Sequence, residues 1–161
     1  MNEKPRAERG FTLVEMVMTV AIVGILASAA MPLASLVSQR NKEQELRQSL
    51  MVIREAIDAH RKAFDSGKIP KSIGDSGYPK SLTDLTEGVI DQTTADKKRI
   101  LFLRRIPRDP LHNDSSMKPE DTWGLRSYDS PPEDPSPGKD VFDVYSLDKG
   151  VGLNGIPYTK W

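Results

Sequence analysis

From Met16 to Gln39 the chain carries no charged side chain, and a single acid, Glu15, stands at the head of that run. So long an uncharged, mostly apolar stretch admits few folds. As a helix rising about 1.5 Å per residue it spans roughly 36 Å, enough to cross a hydrocarbon core of about 30 Å. Glu15 is the anomaly. An unpaired carboxylate buried in such a span costs roughly 2–4 kcal/mol, so it calls for a positive partner. The nearest candidate is an amino terminus created by cutting the chain after Gly10.

Two ordinary readings compete with that one. A secretory signal accounts for Lys4, Arg6 and Arg9 followed by an apolar region, with Ala27-Ser28-Ala29 as a small-x-small cleavage site. The apolar run is long for a signal, and Glu15 interrupts its start. A plain membrane anchor accounts for the length and leaves Glu15 without a role. Charge does not fix the orientation, because Arg40, Lys42 and Arg47 follow the span as closely as three cations precede it.

Gly10-Phe11-Thr12-Leu13-Val14-Glu15, behind a short basic leader and ahead of the apolar run, resembles the prepilin processing site of type IV pilins and type II secretion pseudopilins. The resemblance implies that a membrane peptidase cuts between Gly10 and Phe11 and methylates the new Phe11 amine. It also makes Glu15 the family's buried glutamate. Read as one helix, Phe11 and Glu15 are an i, i+4 pair on one face. In a bundle, Glu15 of one subunit then neutralises Phe11 of its neighbour only at the correct stagger. Glu15 becomes a register device, as polar residues are in coiled coils. Gly24 with Ser28, and Ala30 with Ala34, are small residues spaced by four, which lets apolar helices approach closely. Pro32 lacks an N–H and crowds the Ser28 carbonyl, so it loosens the helix there.

Beyond Gln39 the pattern remains helical and becomes one-sided. Leu46, Leu50, Ile53, Ile57, His60 and Phe64 recur at alternating steps of four and three, and Gly67 and Pro70 end the run. The spacing predicts one helix from about Phe11 to Ser66. Residues 67–93 read as loop with short helical turns, anchored by Leu82, Leu85, Val89 and Ile90. Ala95 to Arg105 reads as a short helix stopping before Pro107. Leu125–Tyr128 and Val141–Leu147 read as strands, separated by a proline-rich loop. The expected fold class is α+β, a long N-terminal α-helix with a small C-terminal antiparallel β-sheet. The corresponding divisions are a leader (1–10), an apolar half-helix (11–39), an amphipathic half-helix (40–66) and a globular domain (67–161).

Further motifs extend the resemblance. Tyr78-Pro79-Lys80-Ser81-Leu82 is similar to a Tyr-Pro-x-x-Leu segment of secretion pseudopilins. Leu103 to Pro110 is similar to their Leu-x-x-Leu-Pro-x-Asp-Pro element. Trp123-Gly124 and Tyr128 look like a Trp-Gly-x-x-Tyr that usually follows at once, and the dozen or so intervening residues here suggest a loop insertion. Asp143 to Gly150 resembles the tract of major pseudopilins whose loop binds calcium. Leu147 (through its carbonyl), Asp148 and Asn154 are the candidate ligands, since calcium takes oxygens from a flexible loop. Lys149 places a cation inside that loop, and Ile156-Pro157-Tyr158-Thr159-Lys160-Trp161 stands where the family has acids. Tyr158 and Trp161 offer an alternative to metal, an apolar clasp on the tail.

Other chemistries find little support. Lys+Arg and Asp+Glu are 23 each, so no net charge recruits nucleic acid. With no cysteine, disulfides and thiolate metal sites are excluded, and a domain outside the membrane must rely on packing or on oxygen-held metal. Gly150 to Gly155 fits G-x-G-x-x-G literally, but too few residues follow for the helix that a dinucleotide site requires. His60 lies on the apolar stripe as a packed residue, and His112 in a turn-rich segment reads as solvated. No catalytic arrangement emerges.

The expectation is therefore a non-enzymatic, pseudopilin-like subunit of a type II secretion system, inserted in the inner membrane with its C-terminal domain in the periplasm. Its implied partners are further copies of itself in a helical filament, a prepilin peptidase, an inner-membrane assembly platform and minor pseudopilins. A type IV pilin of a surface pilus is the near alternative. A periplasmic binding module on an uncleaved anchor is the alternative of a different class.

Overall fold

The computed structural model describes residues 10–161. The basic leader residues Lys4, Arg6 and Arg9 lie outside the described residues. Tertiary contacts fall into two compact units, one ending at Gln39 and the other running Arg40–Trp161.

The first unit is helical. Helix α1 covers Leu13–Asp65 without interruption, and Pro32 lies inside it. It begins two residues later than the spacing predicts, so Phe11 precedes the helix instead of sharing a face with Glu15. The cause is local: Thr12 Oγ1 accepts the Glu15 N–H at 3.2 Å, which makes Thr12 the cap. From Leu13 to Leu26 and from Leu33 to Val37, the large apolar side chains are exposed. The hydroxyls are turned inward. Thr19 donates to the Met16 carbonyl, Ser28 to Gly24 and Ser35 to Pro32. An apolar sheath with these three hydroxyls satisfied by its own backbone suits hydrocarbon surroundings.

The second unit is built on the C-terminal part of α1. Leu46, Leu50, Ile53, Ala56 and Ile57 are buried along one stripe, as the three-and-four spacing predicts. The helix stops one residue short of Ser66. Gly67, at φ +75°, donates to the Phe64 carbonyl, and Lys68 N–H reaches Ala63, so a left-handed residue closes the last turn.

Short helix α2, Thr83–Glu87, seats Leu85 in the core. Strands β1 (Val89–Ile90) and β2 (Arg99–Ile100) form an antiparallel pair. Here the sequence misleads: Ala95 to Arg105 is not a helix. A turn with Thr94 accepting the Lys97 N–H, and Lys97 itself at φ +47°, folds the chain back onto β1. Phe102 and Leu103 then hydrogen-bond through their N–H groups to the Leu85 carbonyl. Of the expected anchors, Leu82 and Leu85 are buried, whereas Ile90 is exposed.

Strands β3 (Trp123–Arg126) and β4 (Asp143–Ser146) pair antiparallel, Trp123 opposite Ser146 and Leu125 opposite Val144. Val144 and Ser146 are buried, and Trp123, Val141 and Tyr158 join the α1 stripe in one core. The α+β class and the long-helix-plus-small-sheet architecture expected from the sequence are thus present.

Candidate assembly site and C-terminal loop

At the N-terminus, Thr12-x-x-Glu15 places an acid in the first turn of α1, the pattern of a helix-starting box. The helix dipole favours a negative charge at that end. Glu15 therefore has one role within its own chain, starting the helix, before any neighbour is considered. Phe11 is 77% exposed, and a Cβ built on Gly10 meets nothing within 4 Å. The bond between them precedes the helix, which starts at Leu13. A Cβ built on Gly24 meets nothing within 4 Å, so nothing inside this chain demands glycine there. The Ser28 hydroxyl folds back 2.8 Å onto the Gly24 carbonyl, leaving a smooth, small-residue surface.

The C-terminal loop is organised from α1. Glu43, 5% exposed, accepts the Leu153 N–H at 2.8 Å and the Tyr158 hydroxyl at 2.9 Å on one carboxylate oxygen. One helical turn on from Glu43, Arg47 lies 4.4 Å from the Trp161 ring centre, and about two turns beyond it Arg54 spans three partners. Arg54 Nε pairs with Asp143 Oδ1 at 2.7 Å, and its Nη2 donates to the Val144 and Trp161 carbonyls. Tyr158 and Trp161 pack edge to face at 5.1 Å.

The sequence reading foresaw the aromatic clasp and missed Glu43 and Arg54. A signal for Glu43 exists. It stands three residues before Leu46, so it continues the alternating three-and-four stripe into the buried face.

Of the candidate calcium ligands, Asp148 and Asn154 each turn one oxygen onto a backbone donor. Asp148 Oδ1 accepts the Gly150 N–H at 2.7 Å, and Asn154 Oδ1 accepts the Ile156 N–H at 3.0 Å. Among the described residues no group of three His, Cys, Asp or Glu side chains is placed to hold a metal ion. Calcium needs six to eight converging oxygens, whereas Asp148 Oδ1 and Asn154 Oδ1 are each taken up by a backbone N–H and no cluster of three acidic or imidazole side chains stands among the described residues, which is a poor fit to that ion.

A second polar centre lies under the sheet. Asp109, 1% exposed, accepts the Ser146 hydroxyl at 2.6 Å and the Leu111 N–H at 2.8 Å. Its own N–H donates to Thr122 Oγ1 at 3.1 Å. The inserted loop thus leaves Asp109 and returns beside it, and Arg108 ties the loop's Asp114 and Met117 carbonyls. Trp123 Nε1 donates to the Pro107 carbonyl at 2.8 Å. The Leu-Pro-x-Asp-Pro and Trp-Gly segments are therefore joined in space despite the insertion.

His60 is buried, with Nδ1 3.0 Å from the Gly77 carbonyl and its ring tilted against Phe102. Burial pushes its imidazole below the usual value, against the opposing pull of the Gly77 carbonyl and Asp84. His112 is half-buried with Nε2 shielded from solvent, not solvated as its turn-rich surroundings suggest.

Comparison with known proteins agrees with this geometry. Residues 5–31 match the family model of the prokaryotic N-terminal methylation motif. The chain is 25% identical over 141 residues to the type II secretion system core protein G of Klebsiella michiganensis, covering 84% of this chain and 90% of that one. It is 29% identical over 115 residues to the protein of the same name from Vibrio cholerae, covering 70% and 71%. With the Pectobacterium carotovorum counterpart it shares 24% over 147 residues, covering 88% and 87%. No solved structure matches it. An N-methylation motif, a long helix apolar at its head and a small antiparallel sheet define a pilin-like protein. Within that class, the chain is similar over most of its length to the type II secretion system core protein G of several bacteria.

Proposed function

We propose that this chain is a structural subunit of a pseudopilus in type II protein secretion, and not an enzyme. A prepilin peptidase cuts between Gly10 and Phe11 and methylates the Phe11 amine. Subunits then leave the inner membrane and pack their N-terminal helices into a helical filament, with minor pseudopilins and an inner-membrane assembly platform as partners. Before assembly the 11–39 segment spans the membrane, and the 40–66 half-helix with the 67–161 domain lies in the periplasm.

The observation that carries this reading is the N-terminal methylation motif at the head of an apolar helix whose large side chains, among the described residues, are exposed from Leu13 to Leu26 and from Leu33 to Val37. Such a surface needs lipid or neighbouring helices. Glu15 supports it further. Moving Phe11 out of the helix does not remove its attraction to a neighbour's carboxylate, and it frees the amine to reach for one. Gly24 supplies close approach between helices, and Pro32 a point where the helix can lengthen.

The test is Glu15→Val. The variant is expected to insert in the membrane at wild-type levels and to form no filaments, scored by membrane fractionation and electron microscopy of sheared filaments. Filaments at wild-type yield would overturn the role given to Glu15.

A further inference from the structure

The loop after β4 has the opposite polarity from a cation site. A calcium loop points oxygens inward at a positive ion. Here a buried carboxylate sits at the focus, and donors point at it: the Leu153 N–H and the Tyr158 hydroxyl converge on one oxygen of Glu43. The side chains that resemble ligands each engage a backbone donor, Asp148 Oδ1 the Gly150 N–H and Asn154 Oδ1 the Ile156 N–H.

The rest of the loop is closed by its own backbone. Gly152 N–H donates to the Ile156 carbonyl at 2.9 Å, and Tyr158 N–H to the Gly150 carbonyl at 3.1 Å. Trp161 fills the remaining space. A Cβ on Gly152 would stand 2.4 Å from its ring, and its Nε1 donates to the Ile156 carbonyl. Three cations stand around the loop, alongside the Asp143 that pairs with Arg54 and the Asp148 of the loop itself. Arg47 lies over Trp161, Arg54 holds the Trp161 carbonyl, and Lys149 stands within the loop. A divalent cation entering here would meet N–H groups and like charge.

We propose that Glu43, reaching from α1, takes the place of a metal in this loop, so that the domain folds and stays folded without calcium. This stands independently of filament assembly, because it concerns only how the loop is closed. Glu43 also explains why a lysine is tolerated at position 149: the centre to be neutralised is negative, not a set of carboxylates awaiting a cation.

The experiment is thermal unfolding of the full chain in detergent, followed by near-ultraviolet circular dichroism, in millimolar calcium chloride and in excess chelator. Elemental analysis of the purified protein accompanies it. The wild type is expected to melt at the same temperature in both buffers and to carry no stoichiometric calcium. Glu43→Gln is expected to melt lower, by the same amount in each buffer. Should that variant not fold, Tyr158→Phe removes one of the two donors and carries the same expectation.

A filled site at a hundredfold excess over its dissociation constant would raise the melting temperature by roughly 5 °C or more. A rise of that size in calcium, or one bound calcium per chain, overturns the proposal. So does a Glu43→Gln or Tyr158→Phe protein that melts like wild type.

Discussion

Replacing Asp109 by alanine tests whether one buried carboxylate ties the inserted loop to the sheet. The side chain is 1% exposed, and the Ser146 hydroxyl that donates to it is on a residue with no exposure at all. Asp109→Ala strands that hydroxyl and the Leu111 N–H. Each buried donor left without an acceptor costs roughly 1–3 kcal/mol, and the vacated space adds to this, so the loss comes to about 3–5 kcal/mol. At roughly 2–4 °C per kcal/mol for a chain of this size, the melting temperature falls by about 6–20 °C.

Asp109→Asn separates the polar role from the packing role. Its oxygen still accepts from Leu111, and the Ser146 hydroxyl can rotate to accept from the new amide, so the loss is expected to be less than half as large. Urea unfolding of both variants, monitored by Trp123 fluorescence, supplies the free energies. If Asp109→Ala is destabilised by less than about 1 kcal/mol, the carboxylate is not the tie described and the reasoning fails.

Two further outcomes follow from the same geometry. His60 is held neutral by burial, so the unfolded chain takes up a proton more readily than the folded one. Its contribution to stability is complete above the unfolded pKa of about 6.5 and is lost as pH falls from there through the lowered folded value. Melting temperature should drop over that range in wild type, and the drop should be smaller in His60→Gln. At Gly124, opposite Tyr145 in the β3–β4 pair, an added Cβ would stand 2.4 Å from the tyrosine ring. Gly124→Ala must therefore displace that ring and is expected to lose about 1–3 kcal/mol in urea unfolding, with Tyr145→Ala in the same chain reducing the penalty.

The elements read most easily from the sequence are those whose partners lie along one periodic face. Leu46 to Phe64 repeats at helical spacing, and the stripe is buried from Leu46 to His60, with Phe64 half-buried at its end. Strands β3 and β4 are legible from their composition and from the proline-rich segment between them. Segment 95–105 was misread because its apolar residues fit a short helix about as well as a strand and a turn. The choice is made by distant partners, Val89 and Ile90 for β2 and the Leu85 carbonyl for Phe102 and Leu103.

The same limit hid the polar residues that close the domain. Arg54 meets Asp143 and Trp161 across 89 and 107 positions, and Glu43 meets Leu153 across 110. Local pattern reads such residues as solvated helix charges. Only the position of Glu43 on the apolar stripe betrays it. In the N-terminal segment the processing motif was legible because it is contiguous. The start of the helix was not, because a threonine cap moved it past Phe11.

The most direct test of the central claim, a Phe11 amine freed to meet a neighbour's Glu15, is the mass of the subunit in isolated filaments. The account predicts a chain lacking residues 1–10 and carrying one added methyl group on Phe11. Filaments built from subunits that retain the leader would contradict it.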